Sequence, residues 1–278
     1  MDRLHTVSEL RQRLASERRI VFVPTMGNLH EGHLDLLRAG HHHGDCLVTS
    51  LFVNRLQFGK GEDFERYPRT LTADCEQLEK QGCHVVFAPD EKEVYPELQQ
   101  CVVEPSGLQH VLEGAARPGH FRGVATVVLK LFHMVQPQVA VFGQKDYQQC
   151  LVVKEMVRQL NLPIDILAVN TRRALDGLAL SSRNSYLSVQ EREEAPALYR
   201  QLSLIQTALA AGQRDFDALE REATNTLDSR GWQTDYIAIR ERHRLGKPDP
   251  STPDLVILGA AKLGRTRLID NIEVTLSP

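Results

Sequence analysis

Neither GxxxxGKS/T nor GxGxxG occurs in the 278 residues, so a nucleotide site here is neither a P-loop nor a dinucleotide-binding turn. GxSxG and HExxH are missing as well, which leaves hydrolase and zincin readings without support. Cysteine is sparse. Cys46, Cys75, Cys83, Cys101 and Cys150 are odd in number and contain no CxxC pair, so neither a disulfide framework nor a zinc site is indicated. Free thiols fit a reducing compartment, and a cytoplasmic protein is expected. No apolar run is long enough to span a bilayer, and Met1-Asp2-Arg3-Leu4-His5 shows no leader-type apolar core, so no membrane association is expected. A net charge of −3 gives no bulk electrostatic case for nucleic acid or an anionic membrane, though a local basic pocket stays open. No internal repeat or low-complexity tract appears.

The chain is 42% hydrophobic and 25% charged, as in a globular protein, and its length suits one large or two modest domains. Helices are expected over Val7–Arg19, His30–Gly40, Thr70–Gln81 (with Gly82 as its cap), Gly123–Val135 and Tyr147–Leu160. Strands are expected at Ile20–Pro24, Cys46–Val53, His84–Ala88, Val139–Phe142 and Ile164–Val169. The near-continuous apolar strands suit burial on both faces, and their alternation with helices predicts an α/β, Rossmann-like parallel sheet. The pattern changes after Ser188. Helices over Val189–Ala211 and Phe216–Arg230 precede strands at Tyr236–Arg240, Leu255–Ala260 and Thr266–Asn271, which predicts a smaller α+β C-terminal domain. The junction falls near Asp176–Ser188, giving domains 1–176 and 177–278. His41-His42-His43 reads as a solvated helix end, with a metal site the lesser alternative.

The centre of the pattern is Pro24-Thr25-Met26-Gly27-Asn28-Leu29-His30-Glu31-Gly32-His33. A strand breaks at Pro24 and Gly27 and opens into a helix, and free N–H groups at such a terminus attract anions. His30 and His33 are three apart and share a helix face, where imidazoles can donate to phosphate oxygens. Four further stretches carry polar chemistry. Phe52-Val53-Asn54-Arg55-Leu56-Gln57-Phe58 places two amides past a strand, either suited to a small polar substrate or simply solvated loop amides. Arg117-Pro118-Gly119-His120-Phe121-Arg122-Gly123 is either an anion-facing lid or a surface turn. In Gly143-Gln144-Lys145-Asp146-Tyr147-Gln148-Gln149 the glycine lets backbone approach a ligand and Lys145 can neutralise phosphate. Asp146 caps the next helix or accepts a sugar hydroxyl, with Gln149 on its side. Asp176-Gly177-Leu178-Ala179-Leu180-Ser181-Ser182-Arg183-Asn184 is a phosphate clamp or an ordinary interdomain turn. His30, Asn54 and Gly143 each lie just past a strand's carboxyl end, where open α/β sheets bind ligands.

Together with Tyr67-Pro68-Arg69-Thr70 and Leu112-Glu113-Gly114, these stretches resemble the pantoate–β-alanine ligases, a branch of the HxGH nucleotidylyltransferases. The resemblance runs through about Leu187 and is less distinct beyond. It implies a two-step ligation with ATP and Mg2+: pantoate is adenylated with release of pyrophosphate, and β-alanine then displaces AMP. It also implies an ATP site from Met26, Gly27, Asn28, Leu29, His30, Glu31, Gly32 and His33. Gly143, Gln144, Lys145 and Asp146, then Arg172, then Leu180, Ser181, Ser182 and Arg183 complete that site. His33 would be catalytic, with His30, Lys145 and Arg183 acting on the phosphates and Asp146 on the ribose. Gln57 and Gln149 would hold pantoate, with Asn54 nearby. A homodimer is implied, with the C-terminal domain closing over the ATP site.

Two positions depart from the pattern the resemblance leads one to expect: Arg55 stands in place of a proline, and Arg172 in place of a small or medium apolar residue beside the adenine. Another adenylyl-transferring enzyme of the superfamily is disfavoured by Asn54, Gln57 and Gln149, which suit pantoate better than a phosphorylated acceptor. A non-catalytic nucleotide-binding protein is disfavoured by the intact His30, His33, Lys145 and Arg183. A tRNA synthetase fragment lacks an anticodon-binding region and a basic stripe.

Overall fold

Side chains alternate across a strand, and here the alternation divides one sheet between two cores. The computed structural model describes residues 1–276. By internal contacts the chain divides into Met1–Gln144 with Gln148–Asn170, and Lys145–Tyr147 with the residues from Thr171 onward. The first unit contains β1 (Asp2–Leu4), α1 (Val7–Leu14), β2 (Ile20–Thr25), α2 (Glu31–Gly40), β3 (Cys46–Leu51), α3 (Leu71–Lys80) and β4 (Val85–Phe87). It continues with α4 (Glu91–Val94), α5 (Leu112–Ala116), α6 (His120–Val135), β5 (Val139–Gly143), α7 (Tyr147–Gln159), of which Tyr147 alone groups with the second unit, and β6 (Asp165–Val169).

The six strands are all parallel, in the order β1-β4-β3-β2-β5-β6. On one face Phe22, Cys46, Val48, Val85, Phe87, Ala140 and Phe142 pack with the buried sides of α1, α6 and α7. On the other, Val21, Val23, Leu47, Val86, Val139 and Val141 pack with Leu36 and Leu37 of α2 and Cys75 and Leu78 of α3. Burial on both faces is why the inner strands β2, β3, β4 and β5 read as largely apolar runs. From β2 the chain proceeds to β3 and β4 on one side, and β5 and β6 lie on the other. The switch point therefore falls at the carboxyl ends of β2 and β5, where such sheets bind ligands.

The second unit holds α8 (Val189–Glu194), α9 (Ala197–Ala210), α10 (Phe216–Ser229), β7 (Trp232–Glu241), β8 (Asp254–Leu263) and β9 (Thr266–Thr275). The strands form an antiparallel sheet in the order β7-β8-β9. Leu198, Leu202, Ile205 and Leu209 recur at helical spacing and bury one face of α9 against it, beside Leu219, Ala223 and Leu227 of α10.

Several element boundaries differ from expectation. Helix α1 ends at Leu14 because no residue from Ala15 to Arg19 is buried and the apolar stripe stops there. The helix expected over Val189–Ala211 is two, broken at Pro196, which has no N–H to continue the ladder. The three C-terminal strands are each ten residues long, not five or six, because their solvent-side residues interrupt the apolar pattern. Edge strand β1 and short helices α4 and α5 were too brief to register. The long run of the second unit opens at Thr171, and Arg172 to Leu180 fold back within it as a hairpin. Leu180 donates to Arg172 O at 2.9 Å, and Ala174 donates to Leu178 O at 2.9 Å.

Candidate active site

The turn after β2 is built from left-handed backbone, with φ of 82° at Gly27 and 50° at Asn28. Helix α2 starts at Glu31, one residue later than expected, and His30 is its cap. His30 Nδ1 accepts from Gly32 N at 3.1 Å, while His33 Nδ1 accepts from His30 N at 3.3 Å. The two imidazoles thus form a reciprocal capping box, a job usually given to Ser/Thr and Glu/Gln. Their ring centroids stand 4.1 Å apart, as the three-residue spacing predicts.

Most of the backbone N–H groups at this turn, the expected anion binders, are claimed by the protein itself. Gly27 N donates to Thr25 Oγ1 (3.2 Å), and Asn28 N and Leu29 N donate to the Asp74 carboxylate (2.9 and 2.8 Å). His30 and Gly32 are committed to the histidine box, and His33 N donates to His30 O (2.8 Å). The chemistry moves to the rings. An Nδ1 that accepts from a backbone N–H carries no proton, so the neutral imidazole carries it on Nε2. His30 and His33 are therefore two fixed Nε2–H donors.

Beyond β3, Asn54 caps a 3-10 turn over Arg55–Gln57. It is 1% exposed and its amide is committed: Nδ2 donates to Gln57 Oε1 (3.0 Å) and Gly123 O (3.2 Å), and Oδ1 accepts from Tyr95 Oη (2.8 Å). Asn54 thereby orients Gln57, whose own Nε2 reaches Met26 Sδ at 3.1 Å. Within the first unit this joins the amide loop to the histidine turn. Gly123 permits the arrangement, since a Cβ there would meet Leu56 O at 2.1 Å.

The Arg117–Gly123 stretch is not a cationic lid. Arg117 pairs with Glu62 (2.6 Å) and Glu113 (3.3 Å). Burial pushes the Glu62 carboxyl up, but the Arg117 guanidinium outweighs it and leaves Glu62 below the ordinary range. His120 Nδ1 donates to Gln57 O at 2.8 Å while its Nε2 accepts from Arg117 (3.1 Å). Burial, then the neighbouring Arg117 charge, pull the His120 pKa down to about 4, so the ring is neutral. Arg122 lies 3.9 Å from Glu104 at the surface. Three potential cations have become one neutralised arginine, one neutral imidazole and one surface ion pair, and the first two fasten the backbone of Gln57.

Gly143 is the last residue of β5, and Gln144 N donates to Val169 O at 2.8 Å. Gln149 is half-buried in the first turn of α7. Its neighbour Gln148 is structural: its Nε2 donates to Leu108 O and Val111 O, and its Oε1 accepts from Glu113 N. Lys145 groups with the second unit, where its carbonyl accepts from Asn271 Nδ2 at 2.9 Å; in the same unit Tyr147 Oη donates to Glu273 at 2.8 Å.

In that unit the Arg172–Leu180 hairpin brings together two of the residues expected at the ATP site, through backbone. Arg173 anchors it, with a bidentate pair to the buried Asp270 (2.6 and 2.8 Å) and its guanidinium 3.8 Å from the Tyr199 ring. Gly177 has φ of 94°, and a Cβ there would stand 2.5 Å from Tyr199. Ser181 caps a 3-10 turn over Ser182–Tyr186 and accepts from Arg183 N at 3.2 Å, so Ser181, Ser182 and Arg183 sit half-buried on an ordered turn.

Asp74, Tyr95, Glu62 and Gln148 were not singled out from sequence. Asp74 had a signal: it stands one helical turn beyond Thr70, on the buried side of α3. The others are ordinary polar residues until their partners are known.

A family model for pantoate–β-alanine ligase matches residues 2–273. A pantothenate synthetase from Nitrosospira multiformis is 58% identical over 275 residues, covering 99% of each chain. One from Neisseria meningitidis is 54% identical over 277 residues, covering 99% of this chain and all of the other. Among solved structures, the pantothenate synthetase of Thermus thermophilus aligns with a TM-score of 0.93 at 44% identity, over 99% of this chain and 100% of its own. The pantoate–β-alanine ligase of Francisella tularensis, solved with a β,γ-ATP compound and β-alanine, aligns at 0.84 and 34%, over 98% and 97%. With a full-length model, more than half its residues shared with curated relatives and the same architecture in solved ones, this chain belongs to the pantoate–β-alanine ligase family.

Proposed function

We propose that this chain condenses D-pantoate with β-alanine at the expense of ATP, forming pantothenate, AMP and pyrophosphate, with the work divided as follows. A carboxylate oxygen of pantoate attacks the α-phosphorus and the bond to the β-phosphate oxygen breaks, giving pantoyl adenylate and pyrophosphate. The β-alanine amine then attacks the acyl carbon. A C–N bond forms, the acyl–phosphate C–O bond breaks, AMP leaves, and the nitrogen gives up a proton.

The observation that carries this reading is the histidine box at the carboxyl end of the central strand. Charge builds on phosphate oxygens as the first step proceeds, and preorganised donors stabilise it without reorganising. His30 and His33 supply Nε2–H groups in a fixed tautomer, with His33 the catalytic residue. Lys145, Ser181, Ser182 and Arg183 bind phosphates, Asp146 the ribose, and Met26 to His33, Gly143, Gln144, Arg172 and Leu180 line the nucleotide. Gln57 and Gln149 hold pantoate. Gln57 is suited to this because Asn54 fixes its side chain while His120 and Arg117 hold its carbonyl.

Magnesium accompanies ATP in this proposal. Among the described residues no three His, Cys, Asp or Glu side chains gather as a metal site. An all-protein cage therefore does not fit, and the ion would take its ligands chiefly from phosphates and water, as Mg2+ usually does. The proposal extends to a homodimer and to the cytoplasm, where the five free cysteines suit a reducing environment.

The test is incubation with ATP and D-pantoate, with and without β-alanine. Stoichiometric pyrophosphate without β-alanine, and AMP plus pantothenate only with it, support the scheme. A dinucleotide-type product, or AMP release independent of pantoate, overturns it.

A further inference from the structure

Asp74 lies outside every stretch given a role above, yet it is the most heavily used side chain at the histidine turn. It sits on α3 at 2% exposure. Its carboxylate accepts from Asn28 N at 2.9 Å, Leu29 N at 2.8 Å and the Thr70 hydroxyl at 2.9 Å. Thr70 is the cap residue of α3 but makes no side-chain cap bond there; its hydroxyl serves Asp74 instead. Successive N–H groups on left-handed backbone form a concavity that attracts an anion. In a phosphate-binding loop the anion is the ligand's. Here it is the protein's own carboxylate, and Gly27 keeps room for it: a Cβ at Gly27 would meet Asp74 Oδ2 at 2.9 Å.

We propose that Asp74 is a positioning residue for adenylyl transfer: its carboxylate occupies the anion concavity of the turn, so that Asn28 N and Leu29 N serve to brace the turn and the Nε2–H groups of His30 and His33 are held toward ATP. The catalytic part rests on the functional reading above; the bracing part rests on geometry alone. The chain of action is short. Asp74 fixes Asn28 and Leu29, these set the backbone of His30, and His30 N holds His33 Nδ1 while His30 Nδ1 holds Gly32 N. Releasing the carboxylate loosens the box and with it the tautomer of both rings.

Asp74→Asn is the sharp test, because an amide offers one oxygen and turns its NH2 group toward the second backbone donor. Adenylation kcat, followed as pyrophosphate release, falls about 10- to 100-fold, the scale of an ångström-level misplacement. Pantoate affinity, carried by Gln57 and Gln149, stays within about twofold. In protein labelled with 15N-histidine, the His30 and His33 signals lose the separation between bare Nδ1 and protonated Nε2, with His30→Asn and His33→Asn supplying the assignments. A purely structural role for Asp74 would lower yield and melting temperature and leave these ring signals in place. Folded Asp74→Asn with wild-type kcat, or with unchanged ring signals, overturns the proposal. Should Asp74→Asn not fold, Thr70→Val, which removes one of the three donors, decides on the same readouts with a smaller kcat loss expected; no change in either overturns it. If the wild-type protein releases no pyrophosphate from ATP and pantoate, the functional reading fails, and the ring signals alone still decide whether Asp74 braces the histidines.

Discussion

His33 performs two jobs with one ring, and substitution can separate them. Its Nδ1 accepts from His30 N at 3.3 Å and closes the start of α2; its Nε2 carries the proton. An asparagine side chain places an acceptor near where Nδ1 stands but reaches no further. A glutamine places an amide nitrogen near Nε2 but loses the short-range acceptor. Alanine loses both. Loss of a cap bond costs about 0.5–2 kcal/mol, and the long 3.3 Å contact puts His33 toward the low end, about 0.5–1 kcal/mol. In a chain of this size that lowers the melting temperature by roughly 1–4 °C. Loss of a donor to developing charge costs about 10²–10³-fold in rate, roughly 2.7–4 kcal/mol.

The expected pattern is therefore crossed. His33→Ala and His33→Asn slow pyrophosphate release alike by about 10²–10³-fold, while His33→Ala and His33→Gln melt early and His33→Asn does not. His33→Gln keeps a measurable share of the rate. Single-turnover pyrophosphate release with ATP and pantoate, beside thermal melts by circular dichroism, reads both axes. A folded His33→Asn protein within about threefold of the wild-type rate would refute the assignment of the Nε2 donor, because it lacks that group and keeps the other.

Gln57→Ala and Gln149→Ala should each weaken pantoate by about 1.5–3 kcal/mol and leave ATP nearly untouched; calorimetric titration showing equal losses for both ligands would sink that division. Gly123→Ala forces a methyl against the Leu56 carbonyl, so a loss of about 1–3 kcal/mol is expected in urea melts, with pantoate binding weakened as the Gln57 turn shifts. His120 makes the fold acid-sensitive. Its folded pKa of about 4 lies below the ordinary 6.5, so its contribution is whole above pH 6.5 and is lost as the pH falls toward 4, about 2 kcal/mol of it by pH 5. His120→Asn should flatten that slope between pH 7 and 5, and an unchanged slope would show that His120 does not set it. Arg55→Pro should move the melting temperature by less than about 2 °C, since proline stiffens the unfolded chain while the Glu91 and Glu65 pairs are lost; a collapse of turnover in a folded variant would place Arg55 in the site itself.

Much of the fold was legible because burial on both faces leaves a plain trace: Val21-Phe22-Val23 and Leu47-Val48 are apolar at every position, and Pro24, Gly27 and Gly143 punctuate the turns that follow. The C-terminal strands were legible only in part, because exposed residues such as Gln233, Lys262 and Thr275 interrupt their apolar pattern. The histidine pair was legible by spacing, but its means of action was not. Reading the helix start as an exposed N-terminus assumed that its N–H groups were unclaimed. Asp74 is 45 residues from Leu29, and a partner that distant leaves no local trace. The same holds for Arg117. As a sequence it sits among His120 and Arg122 and reads as positive charge. As a structure it sits between Glu62, 55 residues upstream, and Glu113, and is neutralised.

The two departures from the family pattern can be weighed by asking whether backbone or side chain does the work at each. At position 55 proline would fix φ and require an extended residue before it. Asn54 already sits at φ −84° and ψ 109°, held there by its own amide bonds to Gln57, Gly123 and Tyr95. The loop geometry is thus maintained from position 54, and Arg55 is free to turn outward, where it meets Glu91 at 2.9 Å and lies 4.0 Å from the Phe64 ring centroid. At position 172 the carbonyl accepts from Leu180 N at 2.9 Å, and the hairpin is anchored by the neighbouring Arg173 through Asp270 and Tyr199. A residue of any side chain can supply that carbonyl. The backbone geometry at both positions is thus held by bonds that do not require the usual side chain, and both arginines are compatible with the same ligation chemistry.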